Sequence, residues 1–176
     1  MKKFSVKRLF ILGFILVSIA GTLFHFLYGW TGQNALIGLF TPVSESTWEH
    51  MKLLFFPMLL FTIPTIWIIN PDCPHLTANL LWGNLIGTAI IPVLFYTYSG
   101  ILGYHLPSVD IAIFFIAVLA AFLIAYKLCK KTKNMSERQS SIYLGVSAIL
   151  TLLFALAFIR FTYHVPEFGI FKEPPH

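Results

Sequence analysis

Five long apolar stretches alternate with short polar segments along the chain. Each stretch is about 20 residues long, which at a rise of about 1.5 Å per residue lets an α-helix cross the hydrocarbon core of a bilayer. The stretches cover residues 9–30, 48–69, 78–98, 110–128 and 142–163. The pattern therefore predicts an all-α protein, an integral membrane bundle of five transmembrane helices, in a single domain over residues 1–176.

The first stretch follows a basic start and in this respect resembles a signal peptide. Ser18-Ile19-Ala20 is similar to a signal-peptidase site. However, apolar residues continue through Phe26, and the run is longer than the roughly 7–15 residues typical of the hydrophobic region of a signal peptide. We therefore expect this segment to be retained as the first transmembrane helix.

Basic residues are concentrated on one predicted side of the membrane. If the N-terminus is cytoplasmic, nine of the twelve Lys and Arg residues lie inside. Short cytoplasmic loops carry this excess, so we expect a multi-pass protein of the cell membrane with a cytoplasmic N-terminus and an extracytoplasmic C-terminus. The residues predicted inside are Lys2, Lys3, Lys7, Arg8, Lys127, Lys130, Lys131, Lys133 and Arg138, and those predicted outside are Lys52, Arg160 and Lys172.

The composition supports a membrane protein. Apolar residues make up 57% of the chain, charged residues make up 11%, and the mean hydropathy is +0.80. A soluble protein has about a quarter of its residues charged. The sequence pI of about 9.3 reflects basic groups next to the membrane, which match an anionic inner leaflet. We therefore expect the lipid bilayer, and not a nucleic acid, as a partner.

The chain has two cysteines, Cys73 and Cys129. Both are predicted to lie in or beside cytoplasmic loops, where thiols stay reduced. We therefore expect neither to be part of a structural disulfide.

The densest group of ionisable residues opens the second apolar stretch, at residues 44–52. Ser46 and Glu49 have the spacing of a capping box, which explains both residues without any chemistry. His50 and a second carboxylate, Glu45, have no such structural explanation. A functional role and a structural role both stay open for Glu49 and His50.

Other ionisable residues lie near the predicted outer ends of the helices. His25 lies inside the first stretch and is either a functional residue or a neutral, hydrogen-bonded histidine. Asp110 fits either a site or the helix dipole. Arg160 and His164 are one turn apart and share a helix face. A buried Arg160 needs a carboxylate partner, Glu49 or Asp110, or else an anionic substrate.

Burying unpaired charge in lipid is costly, so we expect these groups to converge in one polar cavity that opens outward. Imidazole and carboxylate groups are suitable ligands for zinc or a similar divalent metal. The sequence has no His-Glu-x-x-His motif and no recognisable nucleophile motif. The candidate catalytic residues are Glu49, His50 and Asp110, the candidate substrate-binding residues are Arg160 and Tyr163, and the candidate metal ligands are His25, His50 and His164.

Residues 42–52, Pro-Val-Ser-Glu-Ser-Thr-Trp-Glu-His-Met-Lys, resemble a motif of an uncharacterised family of small multi-pass membrane proteins from Gram-positive bacteria, a domain of unknown function. Blocks around residues 25–28, 99–111 and 161–163 extend the resemblance over nearly the whole chain. The resemblance implies an integral membrane bundle and assigns no activity.

Two classes of function fit these observations. The first is a membrane-embedded enzyme that acts on a lipid or another membrane-associated substrate, with a divalent metal such as zinc as its candidate cofactor. The alternative is a non-enzymatic bundle, which would be a small transporter, a sensor or a subunit of a complex. Pro57 and Pro92 lie inside two apolar stretches, which favours transport, but no matching pair of broken helices marks two halves of the chain.

Overall fold

The computed structural model describes residues 5–68 and 72–174. These residues form a helical bundle without a β-strand, and five of the helical segments are long and apolar enough to cross a membrane, so the predicted fold class is confirmed. Lys2, Lys3, and residue 69 at the end of the second predicted stretch, lie outside the described residues. The helices are α1 (Val6–Trp30), α2 (Ala35–Gly38), α3 (Thr47–Thr62), α4 (Leu76–Leu102), α5 (Pro107–Lys131) and α6 (Glu137–Tyr163), with 3-10 turns at Ile63–Trp67 and Gly169–Phe171.

Local sequence explains where several helices begin and end. The Ser46 hydroxyl accepts a hydrogen bond from the Glu49 amide at the start of α3, at 3.3 Å, and Ser136 forms a complete capping box at the start of α6. Gly103 ends α4 with a φ of 79°, a conformation that favours glycine. Pro107 occupies the first turn of α5, where its missing N–H costs no helical hydrogen bond.

Four helices, α1, α3, α4 and α5, pack around one another, and α6 packs mainly against α4 and α3. Small residues permit the closest approach. A Cβ atom on Gly83 of α4 would lie 2.5 Å from the Ala121 carbonyl oxygen of α5, so only glycine fits there. This close packing of small residues is typical of helix association within membranes, where lipid tails are as apolar as the side chains.

The outer faces of the bundle are apolar. Large hydrophobic side chains are exposed along the helices, including Ile19 on α1, Leu123 on α5 and Leu152 on α6. So much exposed apolar surface is unfavourable in water, but it is favourable in contact with lipid acyl chains. The exposure of large apolar side chains on the outer faces of the helices therefore supports a transmembrane bundle.

The two ends of the bundle differ in chemistry. We call "histidine end" the end formed by the last turns of α1, α4 and α6, the first turns of α3 and α5, residues 31–46 and the tail at 164–174. We call "basic end" the opposite end, formed by the first turns of α1, α4 and α6, the 3-10 turn after α3 and the last turn of α5.

At the basic end, Cys73 and Cys129 form a disulfide with a Cα–Cα distance of 4.7 Å. Two cysteines that the sequence predicts to stay reduced are therefore joined in this structure. The compartment of a loop indicates its redox environment, but it carries no information on which cysteines lie close together in space. The packing of α4 against α5 brings the segment before α4 to the last turn of α5, although the two cysteines are 56 residues apart in sequence.

Candidate functional site

Three side chains meet at the histidine end from three different segments. His25 comes from the last third of α1, Glu45 from the loop before α3, and His50 from the first turn of α3. One ligand atom from each of these residues lies within 4.8 Å of the other two. The imidazole rings of His25 and His50 have centroids 5.4 Å apart. We call these three residues the His-Glu-His cluster.

The His50 ring is held from both sides. Its Nδ1 atom lies 3.0 Å from the Ser46 carbonyl oxygen, which can only accept, so Nδ1 carries the proton and donates. Its Nε2 atom faces the Glu45 carboxylate at 3.3 Å. The contact to the backbone therefore fixes the ring orientation and directs Nε2 to Glu45.

Glu45 is the most accessible member of the cluster, with 66% of its side chain exposed. The hydrogen bond from the His50 imidazole lowers the pKa of the Glu45 carboxyl below its usual value. The amide of Glu45 donates to the Glu173 carboxylate at 3.4 Å, so the C-terminal tail contacts the loop that carries this ligand.

The His25 ring is partly buried, and its Nδ1 atom is buried without a hydrogen-bond partner among the described residues. Buried polar atoms in proteins are almost always satisfied. The unpaired nitrogen lies in a ring that faces His50, at the same end as an exposed carboxylate.

Glu49 belongs to a separate, buried ion pair. Its Oε2 atom lies 2.7 Å from the Lys52 ammonium and accepts the Val43 amide at 3.0 Å. Lys52 is fully buried and also donates to the Gly38 carbonyl at 3.1 Å and to the Thr162 hydroxyl at 2.7 Å. The pair therefore ties α3 to the loop after α2 and to α6, and it engages the Glu49 carboxylate in a structural contact.

Asp110 lies in the first turn of α5, next to the cluster. Tyr98 and His105 both contact its carboxylate: the Tyr98 hydroxyl donates to one oxygen, and His105 Nδ1 lies 3.0 Å from the other. The Asp110 carboxylate is close enough to His50 for the two charges to interact. Asp110 is therefore oriented by its own partners at the edge of the cluster.

Arg160 and His164 are exposed at the end of α6 and in the following tail. Within the described residues, Arg160 makes no ion pair with Glu49 or Asp110. Lys52 occupies the first carboxylate, and the second is held by Tyr98 and His105. The hydroxyl of Tyr163, the other candidate substrate-binding residue, donates to the Ala35 carbonyl at 2.9 Å.

The expected convergence of six residues therefore occurs only in part. The structure brings His25 and His50 together, with Asp110 nearby. The third potential metal ligand beside the two histidines is Glu45, and not His164 as the sequence predicts. It separates Glu49 into the ion pair with Lys52, and it leaves Arg160 on the surface.

Nearly the whole length of the chain matches one protein family. The model of the "Family of unknown function (DUF6512)" covers residues 1–174. The chain belongs to this family. Its membership confirms the resemblance to an uncharacterised family, while the Gram-positive origin and the diagnostic value of the motif stay predictions. No curated protein and no solved structure matches the chain.

Three residues of the DUF6512 chain that matter at this end were not candidates from the sequence. The sequence predicts neither a metal-ligating role for Glu45 nor a buried ion pair for Lys52, and it indicates no role for His105. The signal for Lys52 was present, because it follows Glu49 by three residues on a predicted helix and lies inside an apolar stretch. His105 lies in a loop, so helical periodicity could not predict which residues its side chain contacts.

Proposed function

We propose that this chain is an integral membrane protein that binds a divalent transition metal, preferably zinc, in the His-Glu-His cluster, and that it is a membrane-embedded enzyme acting on a lipid or another membrane-associated substrate. The observation that carries the proposal is the approach of one ligand atom from each of His25, Glu45 and His50 within 4.8 Å. Two imidazoles and a carboxylate that come from three separate segments and converge at one point form a suitable ligand set for a divalent metal.

The donor set fits zinc. Two imidazoles and one carboxylate form one of the ligand sets of catalytic zinc sites, in which the fourth position stays open for water or substrate. With zinc–ligand distances of about 2.0–2.1 Å, two ligands of a tetrahedral ion are about 3.3–3.4 Å apart. The distance from His50 Nε2 to Glu45 Oε2 is 3.3 Å, so an ion can replace the proton that these two atoms share.

The surroundings of the ligands also fit. A histidine ligand normally donates its other ring N–H to a carbonyl or carboxylate, which fixes the tautomer. The Ser46 carbonyl does this for His50. His25 contributes a ring with an unpaired, buried nitrogen, which a hydrogen bond or an ion in the cluster would satisfy.

Zinc in this position would supply a Lewis acid for hydrolysis of a polar bond. We assign the exchange of the reaction's proton to Asp110, because its carboxylate lies beside the cluster and Tyr98 and His105 fix its orientation. Arg160 is exposed at the same end of the bundle, where its guanidinium can bind an anionic headgroup, with Tyr163 next to it.

The predicted orientation places this end outside the cell. Nine of the twelve basic residues lie in segments assigned to the opposite side, which favours a cytoplasmic N-terminus in the cell membrane. Substrate would then reach the cluster from the outer leaflet or from the extracytoplasmic space.

Metal analysis of the detergent-purified protein tests the site. Wild type should bind one zinc per chain and melt at a higher temperature with zinc than with a chelator, because a ligand that binds only the folded state stabilises it. His50→Ala and Glu45→Gln should each weaken zinc binding at least about tenfold. The matched controls His164→Ala and Glu167→Gln, at exposed positions of the same end, should bind zinc like wild type. An equal loss of zinc affinity in the control variants, or no zinc binding by the wild type, would contradict the proposed metal site.

The chemistry has a separate test. Zinc-loaded protein is incubated with phospholipid vesicles and the lipids are followed by mass spectrometry. Products that disappear with a chelator, and in Asp110→Asn with its zinc retained, support the enzyme. Stoichiometric zinc without any product supports the alternative, a metal-binding sensor, transporter or subunit.

A further inference from the structure

The only two cysteines of the chain are joined at the basic end. Cys73 lies in the segment just before α4, and Cys129 lies in the last turn of α5. Both residues are buried. The disulfide therefore links two segments that the α4–α5 packing already holds together.

The charges around this bond indicate its compartment. Lys7 at the start of α1, Lys130 and Lys131 at the end of α5, and Arg138 at the start of α6 all lie at the same end. Short segments with this excess of positive charge face the cytoplasm. Disulfides in the cytoplasm are rare, and most that occur there are transient and take part in redox sensing or catalysis.

We propose that Cys73 and Cys129 form a reversible disulfide, a site of thiol–disulfide exchange with a cytoplasmic dithiol, and not a permanent structural bond. This inference goes beyond the proposed function and rests on the orientation that the charges indicate. It also reconciles the loop location of the cysteines with the bond between them.

Cys129 lines a cavity at the basic end. The cavity has a volume of about 360 Å³, lies between the start of α1 and the end of α5, and is also lined by Lys7, Lys130 and Asp72. Cys73 is not part of that lining and is fully buried. An attacking thiol would therefore approach the bond through this cavity, where the neighbouring ammonium groups favour its thiolate form.

Reduction proceeds by two exchanges. A thiolate of the dithiol attacks Cys129 Sγ, a mixed disulfide forms, and the bond to Cys73 breaks and releases its thiolate. The second thiol of the same reductant then attacks the mixed disulfide and releases Cys129. The dithiol leaves as a disulfide, and two electrons and two protons have passed to the cysteines. A disulfide of the same class reverses the exchange.

The bundle has a second, non-covalent connection at the same place. The Asn79 side chain on α4 donates to the Thr132 hydroxyl at the end of α5 at 3.1 Å and accepts from the Tyr143 hydroxyl on α6 at 3.0 Å. Asn79 also donates to Cys73 Sγ at 3.5 Å. The bonds from Asn79 to Thr132 and Tyr143 do not involve the sulfur atoms, so the end can stay assembled when the sulfurs are reduced.

Thiol trapping in living cells tests the proposal. Cells that express the full chain are quenched in acid, and free thiols are labelled with a polymer-linked maleimide that shifts the band on a gel. Most of the protein should carry two labels in unstressed cells, none after a brief exposure to a thiol oxidant, and two again after the oxidant is washed out. Cys73→Ser and Cys129→Ser each should carry one label in unstressed cells and show no intramolecular disulfide.

Three outcomes of the thiol measurements would overturn the proposal. One is a pair that is oxidised in all conditions, and another is a pair that stays reduced through the oxidant. The third is reduction of the pair by a membrane-impermeant reductant in right-side-out vesicles, which would place the basic end outside. A melting temperature measured with and without dithiothreitol adds a check that requires no variant: the reduced protein should still unfold cooperatively, and a protein that unfolds on reduction would have a structural disulfide instead.

Discussion

The two ends of the bundle differ in how their buried polar groups are satisfied. Both ends hold polar groups close to a membrane, where an unpaired polar group is costly. At the histidine end, charged groups enter the bundle: Lys52 is fully buried against Glu49. Among the described residues of the basic end, the buried polar groups are neutral, with Asn79 bonded to Thr132 and Tyr143. The described lysines of this end are exposed.

Because the two ends are held by different interactions, we expect them to respond to different conditions. An assembly held by a buried ion pair and an imidazole–carboxylate contact depends on protonation, and under the proposed function it also depends on metal ions. An assembly held by amide and hydroxyl bonds next to a disulfide depends on the redox state instead. We therefore expect a change in protonation to affect the histidine end and a change in redox state to affect the basic end, with the opposite end still assembled in each case.

The largest expected effect is at the ion pair. Lys52→Met leaves the Glu49 carboxylate buried without its partner, so we expect the free energy of unfolding in mixed detergent micelles to fall by about 3–5 kcal/mol. The double variant Lys52→Met with Glu49→Leu should recover most of this loss, because both charges are then absent. Lys172→Met, an exposed lysine at the same end, is the control and should be close to wild type. A wild-type stability for Lys52→Met alone would show that the pair contributes little.

A smaller effect is expected at the basic end. Asn79→Ala removes the amide that bonds Thr132 and Tyr143, and we expect a loss of about 1–3 kcal/mol in the free energy of unfolding. The loss should be larger in the reduced protein than in the oxidised protein, because the disulfide holds the same two segments. Asn134→Ala, in the exposed loop before α6, is the control. An Asn79→Ala effect that is independent of the redox state would show that the amide and the disulfide are not coupled.

The smallest effect is expected for the cation that the structure leaves at the surface. Arg160→Ala should change the free energy of unfolding by less than about 0.5 kcal/mol, since the side chain is exposed and braces neither Glu49 nor Asp110. Thermal unfolding of Arg160→Ala and Arg160→Lys measures this directly. A loss of about 3–5 kcal/mol would restore the brace that the sequence suggested and would contradict the contrast between Lys52 and Arg160.

The sequence by itself determined the architecture. Five apolar stretches of about 20 residues leave few alternatives to five membrane-crossing helices, since every backbone polar group in lipid must bond within its own segment. The cap of α3 at Ser46 was also readable, because capping depends on residues only three positions apart. The predicted stretches differ from the observed helices by at most three residues at most ends, by four at the end of α4 and by five at the start of α6, while α3 ends at Thr62 and passes into the 3-10 turn Ile63–Trp67.

Only the tertiary structure decided which side chains meet. Depth in the membrane was predictable from position in a stretch, but the direction in which a side chain points around its helix, and the neighbour it finds, depend on how the helices pack. This is why Lys52, and not Arg160, pairs with Glu49, and why Glu45 joins His25 and His50 in place of His164. It is also why two cysteines that are 56 residues apart in sequence are bonded. Contacts between residues distant in sequence are set by the packing of whole helices, and no local pattern records them.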